Sequence, residues 1–245
     1  MAAKAGCAAC GGQRVPERRW SPGLGVSLCV VPLLCALLAL GAWQLSRGEE
    51  KARLYELQLD RLSAFPVVPT PPLEDADFMR VKLQGSFVPG EHYLVDNQTV
   101  NGRPGYWVVQ PFESAGRRWL VNRGWLAAGR RRDELPAVPE QAGRVEIVAV
   151  SWPDLGLLPS FDDAPWSDEW PKRIAVLDVP RLAADASAEP WQLRLETGQP
   201  GRLGPLATSL GWDAPRHRGY AVQWFGLALV LVAGYVLHGY TERDR

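Results

Sequence analysis

Two long apolar stretches without Asp, Glu, Lys or Arg lie near the two ends of the chain, at residues 20–46 and 219–241. Because an α-helix rises about 1.5 Å per residue, either stretch is long enough to cross a hydrocarbon core about 30 Å thick. Aromatic residues border the second stretch, with Tyr220 and Trp224 at one end and Tyr240 at the other, as is typical of a membrane interface. The chain is therefore predicted to cross a membrane twice.

The charges in front of the first span predict its orientation. The N-terminal arm carries Lys4, Arg14, Arg18 and Arg19 against one acid, Glu17. Because basic segments stay in the cytoplasm, the residues between the spans are expected to be exported and both termini to be cytoplasmic. The arm has no long Arg- and Ser-rich presequence, which favours a bacterial inner membrane over a mitochondrial one.

Between the spans, the spacing of apolar residues changes from helical to alternating. Helix-forming residues continue to about Ser63, where prolines end them. Short alternating runs separated by turn residues then indicate strands. Since no crossover helix is evident, we expect an antiparallel sheet curled into a sandwich or an open barrel. The runs are 79–87, 92–96, 106–112, 117–126, 144–150, 174–178 and 191–196.

The predicted fold is membrane α+β, with N- and C-terminal transmembrane helices flanking one exported, mainly antiparallel β domain. Two parts of that domain, 152–172 and 197–214, are expected to be long loops. The predicted segments are a cytoplasmic arm (1–20), a first span (21–46), a helical extension (47–65), the β domain (66–215), a second span (216–240) and a cytoplasmic tail (241–245).

Charge and cysteine content argue against several functions. The 27 basic and 27 acidic residues balance, and no basic cluster is interleaved with aromatic residues, so nucleic acid is not an expected partner. Cys7 and Cys10 lack both the second pair of a zinc site and the histidine of a c-type haem motif. Cys29 and Cys35 lie in the first span, which leaves the exported domain to fold without disulfides.

The exported domain offers little catalytic chemistry. His92 and Asp96 fall on one face of a predicted strand, and Ser86 or Ser114 would nominally complete a triad, but no nucleophile-elbow or H-E-x-x-H motif is present. We therefore expect the protein not to be an enzyme. Four loop carboxylates are interpreted as solvated, with calcium as the weaker alternative: Asp162, Asp163, Asp168 and Glu169.

One histidine stands at the mouth of the second span, flanked by Arg216 and Arg218. At helical spacing His217 shares a face with Tyr220, Ala221 and Trp224, which together offer a nitrogen ligand and aromatic walls suited to a haem. The alternative is that these residues only anchor the helix at the interface. His238 lies 21 residues further on, about 31 Å along a helix, and so belongs to the opposite interface.

Three stretches together resemble the Surfeit locus protein 1 family, membrane assembly factors for cytochrome c oxidase. The resemblance covers about residues 41–236, although Pro215-Arg216 replaces the usual Asn-containing turn and 151–173 lacks the usual Leu-Arg-Pro-Pro-Glu character. The stretches are GAWQLSR at 41–47, GRPGY at 102–106 with LVNRGW at 120–125, and His217 with YAVQWF at 220–225.

This resemblance implies a haem a chaperone that takes the cofactor from haem A synthase and helps place it in oxidase subunit I. By position His217 would be the axial iron ligand, with Tyr220, Trp224, Trp43 and Gln44 as candidate pocket residues. Arg47, Arg216 and Arg218 would meet the propionates. The motifs Pro104-Gly105-Tyr106 and Asn122-Arg123-Gly124-Trp125 are interpreted as structural, closing turns and strand ends, rather than as direct haem contacts.

Two other functions stay open at this point. The first is a membrane-tethered, exported β-module that binds a protein or envelope ligand, with His217 serving as an anchor. The second is an exported hydrolase that uses His92.

Overall fold

Two long helices at the chain ends and a sheet between them form the described structure. The computed structural model describes residues 20–71, 75–129, 131, 134–154, 166–167, 169–211 and 214–240. Residues up to 52 and from 213 form one compact unit, and residues 53–212 form the other. The elements are α1 Leu24–Ser63, β1 Arg80–Phe87, β2 Tyr93–Val100, β3 Arg103–Ser114, β4 Arg117–Ala127, β5 Val145–Trp152, β6 Lys172–Ile174, α2 Val179–Ala186, β7 Glu189–Leu195 and α3 Ala214–Gly239.

Both terminal helices are long and apolar enough to cross a membrane. The structure therefore confirms the predicted membrane α+β fold, with terminal helices on either side of a β domain. It also confirms that helical structure continues beyond the first apolar stretch, since α1 ends at Ser63. The arm with Cys7 and Cys10, the carboxylates Asp162, Asp163 and Asp168, and the tail 241–245 lie outside the described residues.

The sheet closes into a ring of five strands. Its strand order is β1-β5-β7-β4-β3-β2-β6, and β1 also pairs with β3. Along one edge of β3, residues 103–109 pair with β2 and residues 112–114 pair with β1. Of the two shapes expected from the sequence, the structure has the barrel, and the contact between β1 and β3 closes it.

The expectation that no crossover helix interrupts the strands is wrong. Helix α2 carries the chain from β6 to β7, and the pairs β2–β6 and β4–β7 are parallel. The strand expected at 174–178 stops at Ile174, because Asp178 caps the helix: its carboxylate accepts a hydrogen bond from the Arg181 backbone N–H at 3.1 Å. Pro180 in the first turn favours the same start. The remaining strand pairs are antiparallel, so the sheet is mainly antiparallel as predicted.

Apolar side chains fill the ring and also cover its outside. On the outside, the apolar face of α2 packs over β2 and β4. Leu54, Leu57 and Leu62, from the last turns of α1, pack against Phe78 and Trp152. The helical extension is therefore part of the core of the β domain. The interior receives a large residue from every ring strand: Phe87, Phe112, Trp119, Ile147 and Leu193.

Two glycines of the sequence motifs lie where backbones approach closely. Gly124 has φ +113°, and a Cβ there would lie 2.4 Å from the carbonyl oxygen of Gly204, at a point where β3 and β4 shift register. A Cβ at Gly105 would lie 2.4 Å from the carbonyl oxygen of Leu126. Both glycines therefore have a packing reason of their own, in agreement with the structural interpretation of these motifs.

Arg123, the neighbour of Gly124, is buried and connects several segments by hydrogen bonds. Its side chain is 1% exposed and donates to the carbonyl oxygens of Gly201 and Pro139, each at 2.7 Å, and to Gln110 Oε1 at 2.6 Å. Because these acceptors come from two loops and a neighbouring strand, one guanidinium holds all three against the ring. The loop expected at 197–214 is accordingly tied to the sheet at Gly201.

Candidate functional site

Within the unit formed by the chain ends, small residues allow α1 and α3 to pack closely. Ala214, Ala221 and Ala228 are buried on α3 at intervals of seven residues, which places them on one helix face. On α1, a Cβ at Gly41 would lie 2.7 Å from the Phe225 ring, and one at Gly48 would lie 3.3 Å from His217 Cβ. A close approach of this kind is characteristic of helix pairs in membranes.

The close packing brings His217 against Gln44. The imidazole Nδ1 lies 2.8 Å from Gln44 Oε1, and both side chains are partly buried. A carbonyl oxygen only accepts hydrogen bonds, so Nδ1 carries a hydrogen, and in the neutral imidazole Nε2 then keeps its lone pair. Nε2 has no hydrogen-bond partner in the described part of the chain. The arrangement therefore presents one imidazole nitrogen that is ready to act as a ligand.

The predicted aromatic residues differ in how they are placed. Trp224 lies two helical turns beyond His217, and its indole Nε1 is buried without a hydrogen-bond partner among the described residues. Such an orphaned donor fits a site that takes a ligand with an acceptor atom. Tyr220 and Trp43 are instead 48% and 57% exposed, so their rings present open apolar surface.

The three arginines predicted to bind propionates also differ in their exposure. Arg47 is engaged on its own helix, where Nη1 lies 2.6 Å from Glu50 Oε2. Arg216 and Arg218 are exposed and flank His217 in sequence. An anion that pairs with Arg47 would therefore first have to displace Glu50.

The opposite end of the helix pair has its own contacts. Tyr235 OH lies 2.5 Å from Ser27 Oγ, and the Tyr235 ring packs edge-on against Trp20 with centroids 5.6 Å apart. The Ser21 backbone N–H donates to the carbonyl oxygen of Gly239 at 2.9 Å. His238 lies at this end of α3, so the structure supports placing it away from His217.

Comparison with known proteins places this architecture in a family. Residues 31–229 match the sequence model described as the SURF1 family. The chain belongs to the SURF1 family. The resemblance found in three short stretches of sequence is thereby confirmed, and the match includes the helix pair and the β domain of this SURF1 protein.

Individual relatives agree with the family assignment. A SURF1-like protein of Rickettsia felis is 27% identical over 225 residues, which cover 86% of this chain and 96% of the relative. One from Rickettsia prowazekii is 28% identical over 233 residues, covering 89% and 91%. The cytochrome oxidase assembly protein SHY1 of Saccharomyces cerevisiae is 33% identical over 95 residues, covering 36% of this chain and 24% of that protein.

The alternative site in the β domain of this SURF1 chain does not assemble. His92 lies just before β2, with Nε2 3.4 Å from Glu140 Oε1, whereas the Asp96 carboxylate accepts from Arg173 Nε at 2.9 Å. Ser114 Oγ donates to the carbonyl oxygen of Gln84 at 3.0 Å. Asp96 and Ser114 thus each have another hydrogen-bond partner, and His92 Nε2 has none among the described residues. No cluster of His, Cys, Asp and Glu suited to a metal occurs among the described residues.

Sequence reasoning missed three residues that shape the site. Gly41 and Gly48 bracket Gln44 and admit the Phe225 and His217 side chains, yet they carry no chemistry of their own. The available signal was the spacing of seven residues between the glycines, since residues seven apart lie on one helix face. Phe225 was part of the family resemblance but was not assigned to the site.

Proposed function

We propose that this SURF1-family protein is an assembly factor for cytochrome c oxidase that binds haem a and assists its insertion into subunit I. Family membership and the name of the yeast relative support the assembly role. The proposal that the protein binds haem rests on the hydrogen bond between His217 Nδ1 and Gln44 Oε1. This bond leaves Nε2 available as a ligand at the mouth of the helix pair. A bound haem would supply an iron able to take the His217 nitrogen as a ligand.

The residues around His217 fit such a group. Trp224 offers a buried N–H without a partner, and Tyr220 and Trp43 offer exposed aromatic surface for a flat macrocycle. Arg47, Arg216 and Arg218 carry the positive charge that would pair with propionates, and Arg47 would have to leave Glu50 to do so. A single protein ligand suits a carrier, which must hold its cargo and also release it.

We further propose the surroundings in which this site works. The β domain lies in the periplasm, both termini lie in the cytoplasm, and the two helices span a bacterial inner membrane. In this arrangement the haem site lies at the periplasmic surface of the inner membrane. The protein would receive haem a from haem A synthase and pass it to subunit I, and it would do so without catalysing a reaction of its own.

Replacing His217 with Ala tests the proposal directly. The variant should still insert and fold, because His217 is only partly buried, but its haem content should fall strongly after purification from haem-A-producing cells. The absorption spectrum and the haem-to-protein ratio are the measurements. His238→Ala is the matched control and should keep its haem. Equal haem content and unchanged spectra in both variants would refute the haem site.

A further inference from the structure

Helix α1 holds His217 at two successive points. The side chain of Gln44 contacts the ring nitrogen Nδ1 at 2.8 Å, and the backbone at Gly48 passes so close that an added Cβ would lie 3.3 Å from His217 Cβ. Gln44 and Gly48 are four residues apart and therefore lie on the same face of α1. The Gly48 backbone thus lies beside the stem of the histidine, and the hydrogen bond with Gln44 orients its ring.

We propose that Gln44 is a positioning residue that selects the tautomer of His217 required for ligation. A neutral imidazole carries its hydrogen on either nitrogen, and the hydrogen bond made by one nitrogen decides which one is left to bind a metal. With Gln44 Oε1 accepting from Nδ1, the lone pair is held on Nε2. The inference rests on the proposed function, since haem iron is the group that needs Nε2.

The choice of an amide also has a chemical consequence. A carboxylate behind a ligating histidine raises its basicity and strengthens the metal bond. An uncharged amide selects the same tautomer without adding negative charge to the imidazole. Gln44 thus gives an oriented ligand of ordinary strength, which suits a protein that must give its cargo away.

The tautomer can be measured without haem. Nitrogen-15 NMR of the full-length, haem-free protein in detergent, labelled at histidine, has only three residues to resolve, His92, His217 and His238. The His217 signals are assigned by their loss in His217→Ala. The wild type should show a protonated Nδ1 and an unprotonated Nε2. Gln44→Leu should give a mixture of tautomers, and Gln44→Glu should restore the single one.

Titration with haem a then tests the consequence for binding. Gln44→Leu should weaken affinity by about 10–100-fold, the usual effect of removing a hydrogen-bond partner of a ligating histidine. Gln44→Glu should restore binding and lower the reduction potential of the bound haem, because it places a negative charge behind the ligand. A purely structural role for Gln44 would not predict this shift in potential.

Controls separate failure of this inference from failure of the proposed function. Gln223→Leu makes the same chemical change at an exposed position of α3 and should alter neither the tautomer nor the affinity. If Gln44→Leu keeps a single Nδ1–H tautomer and wild-type affinity while His217→Ala loses haem, the positioning role is wrong and the haem site stands. If His217→Ala also keeps its haem, both are wrong.

Discussion

At the scale of single residues, Gly124 occupies a confined backbone position of the β ring. It combines φ +113° with a carbonyl oxygen 2.4 Å from where a Cβ would lie. Gly124→Ala is expected to lower the free energy of unfolding, measured by denaturant titration of the full-length protein in detergent. Gly116→Ala is the control: Gly116 also has a positive φ, +74°, but nothing lies within 4 Å of its Cβ position. The control should cost about 1 kcal/mol, and Gly124→Ala about 1–3 kcal/mol more.

The same variant bears on the role of the motif around Gly124. Because the glycine solves a packing problem inside the β domain, Gly124→Ala protein that is folded should still bind haem a. A variant with wild-type stability and no haem would show that this motif belongs to the binding site.

His92 should make the stability of the protein sensitive to mild acid. Burial lowers the pKa of His92, with Arg123 acting in the same direction and Glu140 opposing it. In the unfolded chain the pKa returns to about 6.5, so between pH 7.5 and 5 the unfolded state takes up a proton before the folded state does. Stability is therefore lost as the pH falls through this window. His92→Gln should lose less, as measured by thermal midpoints at pH 7.5 and 5; identical pH dependence in both proteins would contradict the prediction.

Part of the site followed from helical spacing and part did not. The sequence alone placed His217, Tyr220 and Trp224 on one face of α3, because every α-helix has about 3.6 residues per turn. The partner of His217 depends instead on how closely two helices approach, and that distance is set by Gly41 and Gly48. Gln44 was therefore a candidate from sequence, but its hydrogen bond to Nδ1 emerged only from the packed pair.

At the scale of elements, α2 depends on its first turn. Asp178 accepts a hydrogen bond from the Arg181 backbone N–H, which would otherwise have no partner within the helix. Asp178→Ala should lower the free energy of unfolding by about 1 kcal/mol. Asp178→Asn retains the acceptor and should be close to wild type in the same denaturant titration. Equal stability of the Ala and Asn variants would show that the cap contributes nothing.

The strands were more predictable than this short helix. Alternating side chains locate β1, β4 and β7 closely, because one face of each strand fills the ring and the other faces outward. The segment 174–178, Ile-Ala-Val-Leu-Asp, reads locally as strand since Ile and Val favour extended backbone. Its Leu177 instead packs in the apolar cluster beneath α2, and this tertiary contact outweighs the local preference.

At the scale of the whole molecule, the proposed topology can be tested with one cysteine. Asn101 lies in the exposed turn between β2 and β3, and the described β domain has no native thiol. In a protein lacking the four native cysteines, Asn101→Cys should react with a membrane-impermeant maleimide in intact spheroplasts. A protein that keeps only its native Cys7, in the basic arm, should react only after the membrane is opened. The reverse pattern would show that the chain is inserted the other way round.

Closure of the β ring also matters for proteins that share a crowded membrane. Anchored chains diffuse in two dimensions and meet repeatedly in similar orientations, so an open sheet edge on each would invite strand pairing between neighbours. Here β1 and β3 pair with each other, and the sheet ends in β6, which is only three residues long. The β domain therefore offers little open strand edge through which neighbouring copies could pair.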